Sequence, residues 1–402
     1  MSVRPVYLDN NATTRVDPRV VEAMLPYFTE QFGNPSSMHA FGAKVGGSVR
    51  EAREKLQALL GAAHDHEIVF TSGGTESDNA ALISALEANP LRAEIITSVV
   101  EHPAILSACE HLAKTRGAKV HHIGVDAHGR LDIEAYRKAL SDKTAIVSFM
   151  WANNETGTIN PISELAGLAK DAGALFHTDA VQAVGKIPID LRNTPVDMLS
   201  LSGHKLHGPK GIGALYVRRG TRFKSMLKGG HQERGRRAGT ENTPGIIGLG
   251  VAAEIAHQNL ESDMPRIAAL RDRLEKSLLQ RVGNAFVTGD PHARLPNTTS
   301  IAFEYIEGEA ILLLLNRAGI AASSGSACTS GSLEPSHVMR AMGIPYTAAH
   351  GAIRFSFSRE NTKEDVDQVL EVMPDIIARL RELSPFWSGE GPSTGAFQPT
   401  YA

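Results

Sequence analysis

Two cysteines in 402 residues are too few for a disulfide framework or a four-thiolate zinc site, so in a reducing compartment both are expected as free thiols. The histidines show no HExxH-type spacing and no supporting carboxylate pattern, which argues against a metal hydrolase. The start, MSVRPVYLDNNATT, lacks the apolar stretch of an export signal, and the apolar run from Ala310 to Leu315 is far too short to cross a bilayer. A cytoplasmic protein is therefore expected. Excess charge of either sign is also missing. Lys and Arg number 41 against 44 Asp and Glu, so the molecule as a whole has no electrostatic reason to collect nucleic acid or an anionic membrane. There is no internal repeat and no low-complexity block. What remains is an ordinary globular composition, 42% hydrophobic and 21% charged.

Apolar, β-branched stretches alternate with helical patterns, the signature of an α/β protein whose mostly parallel sheet carries helices on both faces. Strands are predicted at Glu67–Thr71, Glu94–Val100, Val120–Val125, Ala145–Trp151, Ala174–Thr178, Met198–Ser202 and Gly213–Arg218. Between them, Asn160 is expected to cap a helix with Pro161 at its first position, Ile162, Leu165, Ala166 and Ala169 as its apolar stripe and Gly173 after its end. Asp17 and Pro18 repeat that start signal ahead of a helix through Met24. From about Met264 the pattern changes to helix, strands, helix, and Thr362 with Asp365 predicts a capping box on a last long helix. Two domains follow: a large one over 15–262, and a smaller α+β one made of 1–14 and 263–402, the latter carrying a loop at about 323–335. The tail from Ser388, rich in Gly, Pro and Ser, is expected as a loosely held arm.

Ligands of open parallel sheets sit at the carboxyl ends of strands, so the residues that follow each apolar run matter most. Thr71-Ser-Gly-Gly-Thr-Glu-Ser-Asp78 is a small-residue turn in which Thr75 and Asp78 are expected to cap the next helix. Its free N–H groups suit a phosphate, with an ordinary capped turn as the alternative. Asp179 ends a buried run and needs a cationic partner; a protonated pyridine nitrogen or an arginine would serve, and Gln182 lies one helical turn on. Lys205, in Ser202-Gly203-His204-Lys205, follows an apolar strand among glycines and suits a Schiff base if desolvated, or is an ordinary exposed lysine. Cys328 stands in the small polar stretch Ser323–Ser332, placed as an exposed nucleophile or else a tolerated surface cysteine, whereas Cys109 in AILSACEHL reads as packing. In Ile353-Arg-Phe-Ser-Phe-Ser358, alternation puts Arg354 on the face opposite Ile353, Phe355 and Phe357, where its planar fork could bind a carboxylate or face solvent.

The motifs YLDNNATT, SGHKLHGPKG, SSGSACTSGSLEPSHV and RFSFSR, ending at Arg359, resemble the fold-type I pyridoxal-phosphate enzymes, class-V aminotransferase branch, and within them the cysteine desulfurases of iron–sulfur assembly. GGHQERGRRAGTEN and LSPFWSG look nearest to the nitrogen-fixation branch. The resemblance implies that Lys205 bears the cofactor and Asp179 faces its ring nitrogen. It implies that Gln182 and Asn154 neighbour its phenolic oxygen, that Gly74, Thr75, Ser202 and His204 bind its phosphate, and that Gly203 also belongs to the cofactor site. His102 would stack on the ring and act as an acid–base group, Arg354 and Asn154 would bind substrate, and Cys328 would take the sulfur as a persulfide. Thr240 would reach the phosphate of a neighbouring subunit, implying a homodimer. An iron–sulfur scaffold protein would accept the sulfur, and Cys328 could also share in ligating a transferred cluster. His207 departs from the family's usual aromatic residue, and NNETGT replaces its commoner NNEIGV. Two other readings remain: another pyridoxal-phosphate activity such as selenocysteine lysis or transamination, which the Cys328 loop argues against, and a non-catalytic sulfur carrier, which leaves Lys205 and Asp179 unexplained.

Overall fold

The computed structural model describes residues 4–324, 335–388 and 391–393. Seven strands form the main sheet: β2 (Ile68–Thr71), β3 (Glu94–Ser98), β4 (Lys119–Ile123), β5 (Thr144–Ser148), β6 (Leu175–Asp179), β7 (Met198–Ser202) and β8 (Gly213–Val217). They fall on the seven predicted runs; β7 matches its run end for end, and the others differ from theirs by one to three residues at an end. Their spatial order is β2-β8-β7-β6-β5-β3-β4, parallel throughout except for β8, which runs against both neighbours. Every residue of β2, β5, β7 and β8 is buried, as strands covered on both faces require.

The reversed β8 is what sets the site. Because β2 and β7 each pair with it antiparallel, their carboxyl ends meet at its first residue, Gly213, which pairs with both Thr71 and Ser202. A Cβ at Gly213 would lie 2.5 Å from the Leu201 carbonyl and 2.7 Å from Gly73 Cα, so only glycine lets the two strand ends close. The turn after β2 is thereby brought against the turn after β7.

A second hydrophobic core lies around the antiparallel sheet β12 (Ala352–Ser356), β10 (Thr298–Phe303), β9 (Ala285–Val287). Helix Lys363–Glu382 buries Val366, Val369, Leu370, Met373, Ile376 and Ile377 against it, a three-to-four spacing worth about 1.5–3 kcal/mol per side chain. Asp365 accepts from the Thr362 N–H at 3.0 Å, the expected capping contact. The N-terminal strand β1 (Val6–Tyr7) pairs with β11 (Ile320–Ala321), tying the start of the chain to this core. One helix, Thr243–Arg281, serves both cores. Ile246, Leu249 and Ile255 pack in the first and Ile267, Leu274 and Leu278 in the second, so the expected change near Met264 falls inside a continuous helix.

Two local expectations are corrected. The helix after β5 spans Ile162–Asp171 with Pro161 at its cap, and the Asn160 amide turns away to donate to the Met150 carbonyl at 2.8 Å. The helix after β2 starts at Gly74, so Thr75 and Asp78 lie within its first turns and cap nothing; Gly73 occupies the cap, and the Ser72 N–H is taken by Glu76 Oε2 at 2.7 Å. Packing against the sheet buries Asp78 where the sequence suggested a solvated cap. Asp17 does cap Pro18–Met24, accepting from the Arg19 N–H. Among the described residues, no helix is long and apolar enough to cross a membrane.

Candidate active site

A cavity of about 280 Å³ opens at the carboxyl edge of the main sheet. Gly74, Thr75, His102, Asn154, Asp179, Gln182, Ser202, His204, Lys205 and Arg354 all line it. Most of the side chains singled out from sequence thus converge on one space, although they are spread over 280 positions (74 to 354).

At one end lies a cradle for an anion. The fifteen-residue helix Gly74–Ala88 points its N-terminus at the cavity, beside the Ser202 hydroxyl and the Thr75 side chain. A Cβ at Gly74 would sit 2.8 Å from Val181 Cγ2, so glycine is required for this approach. His204 Nδ1 is 3.1 Å from the Thr13 hydroxyl; burial, then the charges of Lys205, Lys210 and Lys186, push its pKa down to about 4, leaving a neutral ring at pH 7.

Asp179, at the end of β6, is buried and accepts from the Val181 N–H at 2.9 Å. Burial raises its pKa, against the lowering effects of that hydrogen bond, His102 and Lys205. Such a carboxylate is suited to a cation placed in the cavity. His102 caps helix Pro103–Arg116, its Nδ1 accepting from the Ala104 N–H at 3.1 Å. That bond assigns the neutral ring's proton to Nε2 and leaves Nε2 as the nitrogen available to the cavity. Burial, then Lys205 and His337, hold the His102 pKa below its ordinary value, while Asp179 opposes them.

Lys205, in the single turn Gly203–Lys205 after β7, donates to the carbonyls of Asn11 and Ala12, the latter at 2.7 Å. Opposite, Arg354 on β12 is only 2% exposed. Its guanidinium donates to Asp9 Oδ1 at 2.7 Å and to the Asn154 carbonyl at 2.9 Å, so the fork is oriented rather than solvated.

Some expectations fall elsewhere. Gly203 is not in the wall; its N–H donates to Ile212 and its carbonyl accepts from Gly208, making it the hinge of the turn. Thr240 is exposed and does not line this cavity. Cys328 lies outside the described residues, whereas Cys109 is fully buried, its pKa pushed up to about 12 first by burial and then by Glu101. Among the described residues, no group of three or more His, Cys, Asp and Glu is placed to hold a metal.

Sequence reasoning missed Asn11, Glu101, Glu155 and His337. Asn11 and Ala12 were visible only as part of YLDNNATT, and their role depends on β1 docking beside β11. Glu101, just after β3, accepts from the Ser98 hydroxyl at 2.6 Å and the Met150 N–H at 3.0 Å, while its other oxygen has no hydrogen-bond partner among the described residues. Burial pushes its pKa up to about 8. Glu155 accepts from the Ser336 hydroxyl at 2.5 Å, and His337 Nε2 is 3.0 Å from the Glu101 carbonyl.

An anion cradle at a helix N-terminus, a buried carboxylate and a lysine between them define a site for a phosphorylated, cationic ring cofactor. The class-V aminotransferase family model matches residues 6–369, and the chain belongs to that family, whose members depend on pyridoxal phosphate. Within it the chain is a cysteine desulfurase. It is 72% identical over 397 residues to a cysteine desulfurase of Gluconacetobacter diazotrophicus, covering 99% of each chain. It is 66% identical to the cysteine desulfurase NifS of Azotobacter vinelandii, covering 98% of this chain and 99% of that one. A solved NifS-like protein superposes with a TM-score of 0.87 at 39% identity, over 94% of this chain and all of the other. The residues present fit the cofactor. The helix start at Gly74, packed so that a Cβ would meet Val181 Cγ2 at 2.8 Å, stands beside Thr75 and Ser202 in the cavity wall as a phosphate requires, and the buried Asp179 matches a protonated ring nitrogen.

Proposed function

We propose that Lys205 holds the cofactor and Cys328 receives sulfur from L-cysteine, leaving L-alanine, and that the enzyme feeds this sulfur to iron–sulfur cluster assembly for nitrogenase. The observation that carries the reading is that Lys205 from the turn after β7, Asp179 at the end of β6 and Arg354 on β12 line one cavity with the Gly74 cradle. The nitrogenase assignment is supported by the high identity to the Azotobacter protein named NifS.

Bound pyridoxal phosphate supplies an electron sink for the substrate's α-carbon. Asp179 holds the ring nitrogen cationic, and Gly74, Thr75, Ser202 and His204 bind the phosphate. Asn154 and Gln182, which line the cavity, would neighbour the phenolic oxygen. Arg354, preset by Asp9, binds the substrate carboxylate as a fork. Lys205 Nζ moves the proton at the α-carbon, and His102 Nε2 serves as a second acid–base group. Cys328 Sγ, as thiolate, attacks the substrate sulfur: the C–S bond breaks, an S–S bond forms, the β-carbon that lost sulfur takes a proton, and alanine leaves once the α-carbon is protonated as well.

The acceptor in this reading is an iron–sulfur scaffold protein in the cytoplasm, with Cys328 able to share in holding a transferred cluster. The active unit is a homodimer in which Thr240 of each copy completes its neighbour's phosphate site. An exposed apolar patch supports this: Leu25, Phe28, Phe32 and Phe41 are 58, 62, 67 and 61% exposed, with the Phe32 and Phe41 rings 5.9 Å apart. The two hydrophobic cores act as two domains, 15–262 and 1–14 with 263–402, with the cavity between them.

The test compares sulfide and alanine release from L-cysteine and added thiol by the wild type, Cys328→Ala and Lys205→Ala. Both variants should be inactive, and only the lysine variant should lose the visible band of lysine-bound cofactor. Full activity in Cys328→Ala would rule out the persulfide route.

A further inference from the structure

Lys186 is 7% exposed and stands beneath the cavity without a carboxylate in ion-pair range among the described residues. A buried ammonium is costly unless something compensates its charge. Its hydrogen bonds go to neutral oxygens, Gln182 Oε1 at 2.7 Å and Asn11 Oδ1 at 3.5 Å. The charged groups that act on it are Lys205 and Arg354, both cationic; with burial they push its pKa well down. On its far side a small cavity of about 50 Å³ is lined by His207, Asp263 and Arg359 as well as Lys186. Lys186 therefore keeps its proton only when a negative charge is brought near it, which an anionic group bound in the main cavity would supply.

Gln182 is the link. Its Oε1 accepts from Lys186, and its Nε2 donates to the Asn11 carbonyl at 2.9 Å, the same carbonyl that receives Lys205 Nζ. An amide can be turned either way, but an ammonium on one side and a carbonyl on the other allow only one orientation. The oxygen faces Lys186, and the NH2 group, with its second hydrogen unused by Asn11, is the end left for the cavity wall that Gln182 forms.

We propose that Lys186 is a positioning residue for the cofactor: it fixes the Gln182 amide as a donor to the ring's phenolic oxygen and supplies the buried positive charge that keeps that oxygen ionised. This rests on the reading of Lys205 as the lysine that bears pyridoxal phosphate. Asn11 sits at the centre of the arrangement. Its own side chain is pinned by Thr298 at 2.9 Å and Asn297 at 3.0 Å, so the carbonyl shared by Lys205 and Gln182 is held in place.

The experiment is a pH titration of the visible absorption band of purified holoenzyme. Loss of the cation and of the ordered donor makes the proton on the lysine–cofactor nitrogen easier to keep. Lys186→Met should therefore raise the titration midpoint by about one pH unit. Lys186→Arg, which keeps the charge, should stay near the wild-type midpoint, and Lys186→Gln, a milder neutral change, should follow Lys186→Met if that variant folds poorly. A neutral variant that is folded and cofactor-loaded yet titrates with the wild-type midpoint would overturn the proposal and reduce Lys186 to packing. Lys205→Ala separates the two readings: retention of the band in that variant would refute the assignment of Lys205 and not that of Lys186.

Discussion

Arg354 Nη2 lies 2.7 Å from Asp9 Oδ1, an ion pair that joins β12 of the second core to the N-terminal segment beside the cavity that Arg354 lines. The pair explains how a side chain 2% exposed can wait for a carboxylate without being left uncompensated. Asp9→Asn should keep the fold and lower kcat/KM for L-cysteine about tenfold, roughly 1.4 kcal/mol. Arg354→Ala should lose about 2–5 kcal/mol of substrate binding, mostly in KM. Steady-state kinetics with L-cysteine checks both, and an unchanged KM in Arg354→Ala would remove the arginine from substrate binding.

The Gly74 cradle makes a steric prediction. Gly74→Ala brings a Cβ to 2.8 Å from Val181 Cγ2, so the helix start must shift away from Ser202. Retention of pyridoxal phosphate through gel filtration should fall sharply in this variant. Ser202→Ala, which removes one hydrogen-bonding group, should weaken retention by about 1–2 kcal/mol.

Glu101 gives a signed dependence on pH. Its folded pKa is pushed up to about 8 from the ordinary 4.5, first by burial, so its protonated form is the one the fold prefers. That contribution is complete below the unfolded value and is lost as pH rises through about 8. Glu101→Gln does not titrate, so its melting temperature relative to wild type should be higher at pH 8.5 than at pH 5.5. A difference between the two proteins that stays the same at both pH values in paired thermal melts would show the carboxyl to be ionised in the folded protein.

His177 should show the reverse dependence. It is fully buried between the Ser148 and Ser200 hydroxyls, both at 2.8 Å, and burial pushes its pKa down to about 3. Stability from the neutral ring is present above the unfolded value of 6.5 and is lost as pH falls toward about 3. The advantage of wild type over His177→Asn should therefore shrink between pH 7 and pH 5 in the same melts.

What the sequence disclosed follows from the fold's own logic. Asp179, Ser202 and Lys205 end or follow apolar runs, and a parallel sheet sends the residues after its strands to one edge. Asp78, Glu101 and Lys186 were not legible, because a polar residue in a helix start, a turn or a VGKIP segment looks solvated until packing decides otherwise. Thr75 and Asp78 were read as caps for the same reason: the start of the helix at Gly74 is set by the close approach at Gly213, a contact between segments about 140 residues apart (74 to 213). Arg354 was read on the correct face of its strand, yet its partner Asp9 could not be inferred, since that pairing depends on β1 docking beside β11.

The most direct test of the central claim is to expose the holoenzyme briefly to L-cysteine without added thiol and locate bound sulfur by peptide mass mapping. The account predicts one extra sulfur on the peptide containing Cys328, none on that of Cys109, and none anywhere in Lys205→Ala. Sulfur on Cys109, or alanine formed with Cys328 unmodified and dispensable, would contradict it.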